Sequence, residues 1–133
     1  MSPLSAFATA LAAVNIGAVP VFVDCDRHGL VDLDLAERAV AADPSIRFFV
    51  PVHLYGHALD MSRLADFRER LGVTIIEDCA QPIAASHLGG STGTAGICAA
   101  TSFYPTKNLG ALGDGGAILT DSEELATTAR ALA

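Results

Sequence analysis

The sequence predicts an α/β domain with a mostly parallel sheet flanked by helices. Three observations carry that prediction. Short apolar segments alternate with helical stretches, and glycine or proline marks most of the junctions. The segments 19–24, 47–52 and 73–76 are mostly bulky and apolar, as in strands buried on both faces. In composition, 51% of the 133 residues are apolar and the mean hydropathy is +0.43, more than a small soluble domain needs. A parallel sheet and a piece of a larger protein with normally covered interfaces both account for that excess.

Taken in order, residues 4–16 are rich in alanine and leucine and stop at Gly17, which predicts a buried helix. Residues 19–24 follow as a buried strand. Asp34 with Glu37 three positions on predicts a capping box for a helix running to about residue 42, where Asp43-Pro44 ends it. Residues 47–52 read as the next strand, and 53–57 as its loop. Asp60 opens a helix over 61–71, in which Met61, Leu64, Phe67 and Leu71 recur at helical spacing before the Gly72 stop. A strand over 73–76 delivers Glu77-Asp78-Cys79-Ala80-Gln81 at its end, and small residues over 87–96 predict a loop. Residues 97–103 and 117–120 are strands on either side of a glycine-rich loop, and Asp121 is expected to cap a last helix over 122–132.

That loop holds Lys107, the only lysine beside seven arginines. In such sheets ligands lie at the carboxyl ends of the strands, so His53, Asp78 and the lysine loop are expected to converge. An amine is nucleophilic only when deprotonated, and burial near apolar or cationic groups allows that. Lys107 is therefore a candidate Schiff-base former. Asp78 at a buried strand tip needs a partner, and a protonated pyridine nitrogen is one, as in pyridoxal phosphate sites. Ser102 can donate to a phosphate oxygen, and Gln81 can reach the same ring.

The segments 51–56, Asp60-Met61, 77–81 and 102–116 resemble the DegT/DnrJ/EryC1/StrS family of pyridoxal-phosphate-dependent sugar aminotransferases. The resemblance extends from Ala8-Thr9-Ala10 and 17–24 to the last helix. It implies the aspartate-aminotransferase fold and makes residues 1–133 the central part of its large domain. It further implies that Lys107 forms the aldimine and moves the proton, that Asp78 pairs with the pyridine nitrogen, that Gln81 contacts the ring and that Ser102 binds the phosphate. The implied reaction transfers an amino group from glutamate to a dTDP-linked keto-deoxysugar within a homodimer. Pro82-Ile83-Ala84, Ile97 and Thr101 depart from the family's usual Ala-His-Gly, aspartate and aromatic at those places.

A catalytically inactive family remnant or an interaction subunit is the competing reading, and a generic nucleotide-binding domain is weakened by the lack of GxGxxG or a Walker loop. The net charge of −7 and scattered arginines argue against nucleic acid. No apolar run is long enough to span a bilayer, the start lacks a charged leader region, and three cysteines without CxxC fit a reducing, cytoplasmic setting. His53 and His57 read as hydrogen-bonded loop residues rather than a metal pair, so no metal is expected.

Overall fold

The computed structural model describes residues 1–132. Its sheet is built from β1 (Phe48–Phe49), β2 (Thr74–Asp78), β5 (Cys98–Ser102) and β6 (Gly116–Leu119), in that spatial order. β1, β2 and β5 run parallel, and β6 returns antiparallel to β5. β3 (Ser86–His87) and β4 (Gly90–Ser91) form a separate small hairpin that begins one residue before the 87–96 stretch expected to be loop and lies otherwise within it.

Among the described residues, four α-helices accompany them: α1 (Phe7–Asn15), α2 (Leu33–Ala42), α3 (Met61–Leu71) and α4 (Glu123–Leu132). α3 forms as the sequence predicts. Asp60 accepts from the Arg63 N–H at 3.0 Å, and Gly72 closes the helix in the left-handed conformation that glycine tolerates best. Its stripe of Met61, Leu64 and Phe67 is buried, and Phe67 stacks on Phe49 of β1 with ring centroids 4.9 Å apart. The core lies between α2, α3 and the sheet face that carries Ile75. Alternation along β2 puts Ile75 and Glu77 on that buried face, and Ile76 and Asp78 on the other.

Several expectations are corrected. Residues 19–24 belong to no strand among the described residues. Their backbone finds Met1, which donates to the Val21 carbonyl and accepts from the Val23 N–H, and Val19 and Phe22 stay exposed. α1 forms, but none of its residues is buried, because no neighbouring sheet face covers Phe7 and Val14. α2 is capped two residues earlier than predicted. Asp32 takes the Asp34 and Leu35 N–H groups, which frees Asp34 to pair with Arg63 and Glu37 with Arg70, so no capping box forms. The strand over 47–52 shortens to two residues plus a bridge from Val52 to Asp78, since Pro51 has no N–H to extend the ladder. Ser122, not Asp121, accepts from the first turn of α4. No helix among the described residues is long and apolar enough to cross a membrane.

Candidate active site

The parallel pairing of β2 with β5 fixes where the predicted residues meet. Asp78 lies opposite Ala100, so Ser102, two residues on, shares its face of the sheet at the same carboxyl end. Ser102 then pairs with Gly116 at the start of β6, which makes residues 103–115 a long hairpin loop at that end. The loop is folded by its own backbone: Phe103 donates to Gly115 at 2.7 Å, Ala111 donates to Phe103 at 2.7 Å and Lys107 donates to Tyr104 at 2.8 Å. Glycine at 110 is a steric requirement, because a Cβ there would sit 2.4 Å from the Pro105 carbonyl oxygen.

A cavity of about 410 Å³ is lined by Tyr55, Gly56, Gln81, Thr106, Lys107 and Asn108. The structure thus brings Lys107 and Gln81 to one cavity, while Asp78 and Ser102 stand at the adjoining strand ends outside its lining. The Lys107 ammonium makes no hydrogen bond or ion pair among the described residues. Gln81 Oε1 accepts from the Tyr55 N–H, which leaves its amide hydrogens to donate. Tyr55 holds a left-handed backbone with φ of 56°, an uncommon conformation for a bulky residue. Ser102 Oγ accepts from the Tyr104 N–H at 3.2 Å and keeps its own hydrogen to give. Asp78 Oδ2 accepts from Thr9 at 2.7 Å and Oδ1 from the Ala80 N–H at 3.0 Å.

The loop bearing His53 does come to Asp78, since the His53 N–H donates to the Asp78 carbonyl at 3.2 Å. Its imidazole turns the other way and is completely buried against Glu77. His53 Nδ1 accepts from the Leu59 N–H at 3.1 Å, so the ring proton is on Nε2 and is donated to Glu77 Oε2 at 3.0 Å. Glu77 also accepts from the N–H groups of Gly93, Ala95 and Gly96 at 2.7–2.9 Å. Burial pushes the Glu77 carboxyl up, but the His53 and backbone hydrogen bonds outweigh it and hold the group below the usual carboxylate range. This arrangement clamps the loop over 93–96 and the loop at 53 onto β2, immediately beneath Asp78. Cys79 completes a compact trio with His53 and Glu77, but both imidazole nitrogens are already committed. Burial, followed by the Glu77 and Asp78 charges, pushes the Cys79 thiol up to about 12.

Sequence reasoning missed Thr9, Tyr55 and Glu77 as parts of the site. Only Tyr55 carried a local signal, its place before Gly56 in a turn.

The mostly parallel sheet flanked by helices is an α/β domain of the pyridoxal-phosphate-dependent aminotransferase type, as its solved structural neighbours show. The chain belongs to the DegT/DnrJ/EryC1/StrS aminotransferase family, whose model matches residues 1–133. It is 51% identical over 125 residues to the dTDP-3-amino-3,4,6-trideoxy-alpha-D-glucose transaminase of Micromonospora megalomicea subsp. nigra, covering 93% of this chain and 32% of that protein. Streptomyces venezuelae DesV, solved in complex with a ketimine intermediate, superposes with a TM-score of 0.91 at 43% identity over 99% of this chain and 35% of its own. Bacillus subtilis NtdA with bound cofactor PMP gives 0.86 at 37% identity over 95% of this chain and 28% of its own. The chain therefore spans about a third of the length of the relatives it matches.

Proposed function

We propose that this polypeptide acts as a pyridoxal-phosphate-dependent aminotransferase on a nucleotide-linked keto-deoxysugar, dTDP-linked, with glutamate as amino donor. In this reading residues 1–133 are part of the enzyme's large domain, and the working form is a homodimer. The observation that carries it is the cavity shared by Lys107 and Gln81 beside the Asp78 and Ser102 strand ends. The donor set fits the cofactor group by group. Lys107 supplies the amine for an aldehyde, Asp78 an acceptor for a ring N–H, Gln81 an amide donor for a ring oxygen, and Ser102 a hydroxyl hydrogen for a phosphate. The names of the relatives support the substrate class.

When bound, pyridoxal phosphate supplies an electron sink for bonds at the amino-bearing carbon. The chain's own residues do the rest. Asp78 keeps the ring nitrogen protonated by offering it a fixed negative charge. Ser102 and Gln81 hold the phosphate and ring edges against rotation, and Lys107 Nζ carries the proton to and from the substrate carbon. The missing Cβ at Gly110 lets the loop backbone close against the Pro105 carbonyl, which folds the segment that carries that amine.

The test supplies ¹⁵N-glutamate and a dTDP-keto-deoxysugar to the cofactor-loaded protein and follows the label by mass spectrometry. The reading predicts ¹⁵N in the sugar, lost in Lys107→Ala. Label transfer that survives this substitution contradicts the role given to Lys107, and no transfer to any nucleotide-linked keto-sugar contradicts the reading and favours a non-catalytic role.

A further inference from the structure

We infer that Thr9 is the positioning residue for Asp78, presented by α1 to hold the carboxylate in the orientation that a ring nitrogen needs. The inference rests on the function proposed above and extends it to a residue 69 positions away. Thr9 Oγ1 lies 2.7 Å from Asp78 Oδ2, and Ser5 Oγ lies 3.0 Å from Thr9 Oγ1. A carboxylate can only accept, and a threonine hydroxyl has one hydrogen, so Thr9 donates to Asp78. Thr9 must then accept from Ser5, which gives a directed chain Ser5 to Thr9 to Asp78 in which each bond polarises the next.

The terminal torsion of an aspartate is broad, and one donor leaves it free to swing. Here Oδ1 is held by the Ala80 N–H and Oδ2 by Thr9, one donor on each oxygen. Both oxygens keep a lone pair for an incoming N–H. The carboxylate also faces the first turn of α1, where the helix favours negative charge. Burial does not explain this contact, because α1 buries none of its residues and leaves Phe7 and Val14 on the surface. What ties α1 to the end of β2 is the polar chain that ends on the site aspartate.

The experiment titrates wild type, Thr9→Val, Thr9→Ser, Ser5→Ala, Asp78→Asn and the Thr9→Val/Asp78→Asn double variant with pyridoxal phosphate. Affinity and the visible circular dichroism of the bound cofactor are read, with urea stability alongside. Thr9→Val is expected to bind about tenfold more weakly, the scale of a hydrogen bond to a charged group, and to lose dichroism. Thr9→Ser should return within about twofold of wild type, and Ser5→Ala should weaken binding less than Thr9→Val does. On the Asp78→Asn background, Thr9→Val should cost nothing further, because both act through one carboxylate. Wild-type affinity in Thr9→Val, or losses that simply add in the double variant, overturn the inference and leave the proposed function standing. If Thr9→Val is too unstable to titrate, a tenfold loss in Thr9→Ser overturns it equally. No uptake by wild type removes the proposed function and this inference together.

Discussion

Replacing Glu77 with glutamine tests the structural support of the site, because the substitution keeps the shape and changes two acceptors into one acceptor and one donor. In the native chain four N–H groups converge on this carboxylate, from His53, Gly93, Ala95 and Gly96. A glutamine whose oxygen serves Ala95 and Gly96 points its amide hydrogens at the donors of His53 and Gly93. His53 cannot escape by moving its proton, since Nδ1 is needed by the Leu59 N–H. The buried His53 donor and the part-buried Gly93 donor are left unpaired, the first worth about 1–3 kcal/mol and the second less, so Glu77→Gln should destabilise by about 1–4 kcal/mol in urea unfolding at neutral pH. The pH dependence gives a second readout. The folded-state carboxyl is held below its unfolded value, so its contribution is fully present above the ordinary glutamate range and is lost as pH falls through the folded value. The gap between wild type and variant should therefore close on acidification, by up to about 1.4 kcal/mol per pH unit over that window. A variant within 1 kcal/mol of wild type, or a gap that stays constant into acid, refutes the reasoning.

Three further outcomes follow from the same geometry. Leu64 is fully buried in the α3 stripe, and Leu64→Ala should cost about 2–5 kcal/mol in chemical denaturation; a loss under 1 kcal/mol means the core lies elsewhere. Gly110→Ala drives a Cβ to 2.4 Å from the Pro105 oxygen, so it should reshape the lysine loop and reduce cofactor uptake more than tenfold with a stability loss of about 1–3 kcal/mol; unchanged uptake contradicts the close approach. Cys79, with its thiol pushed up to about 12, should be the slowest cysteine in an iodoacetamide time course read by mass spectrometry, and labelling as fast as Cys25 counts against its burial.

The elements legible in the sequence are those specified by neighbours in the chain. α3 carries its own cap at Asp60, its own stripe and its own stop at Gly72, and it forms where those signals put it. α2 shows the limit of local reading. Asp32 and Asp34 are chemically alike, and the antiparallel bridge between Cys25 and Val31 sits directly before Asp32, which takes the cap two residues early. The 19–24 segment has the composition of a buried strand, but composition does not supply a neighbouring strand. At the candidate site, Lys107, Asp78, Gln81 and Ser102 stand out in the sequence because the glycine-rich loop, the strand ends and the family resemblance mark them locally. Their supports do not. The His53–Glu77 pair spans 24 positions, and Thr9–Asp78 spans 69. Such contacts exist only once β2 has paired with its neighbours, and no periodicity in the sequence announces them.

The central claim is that Lys107 is the amine that holds pyridoxal phosphate in this chain. The most direct measurement incubates the protein with pyridoxal phosphate, reduces with borohydride and maps the modified peptide by mass spectrometry. The account predicts one saturable modification, on Lys107, that weakens in Asp78→Asn and disappears in Lys107→Ala. Modification at another amine such as the amino terminus, or no saturable modification at all, contradicts it.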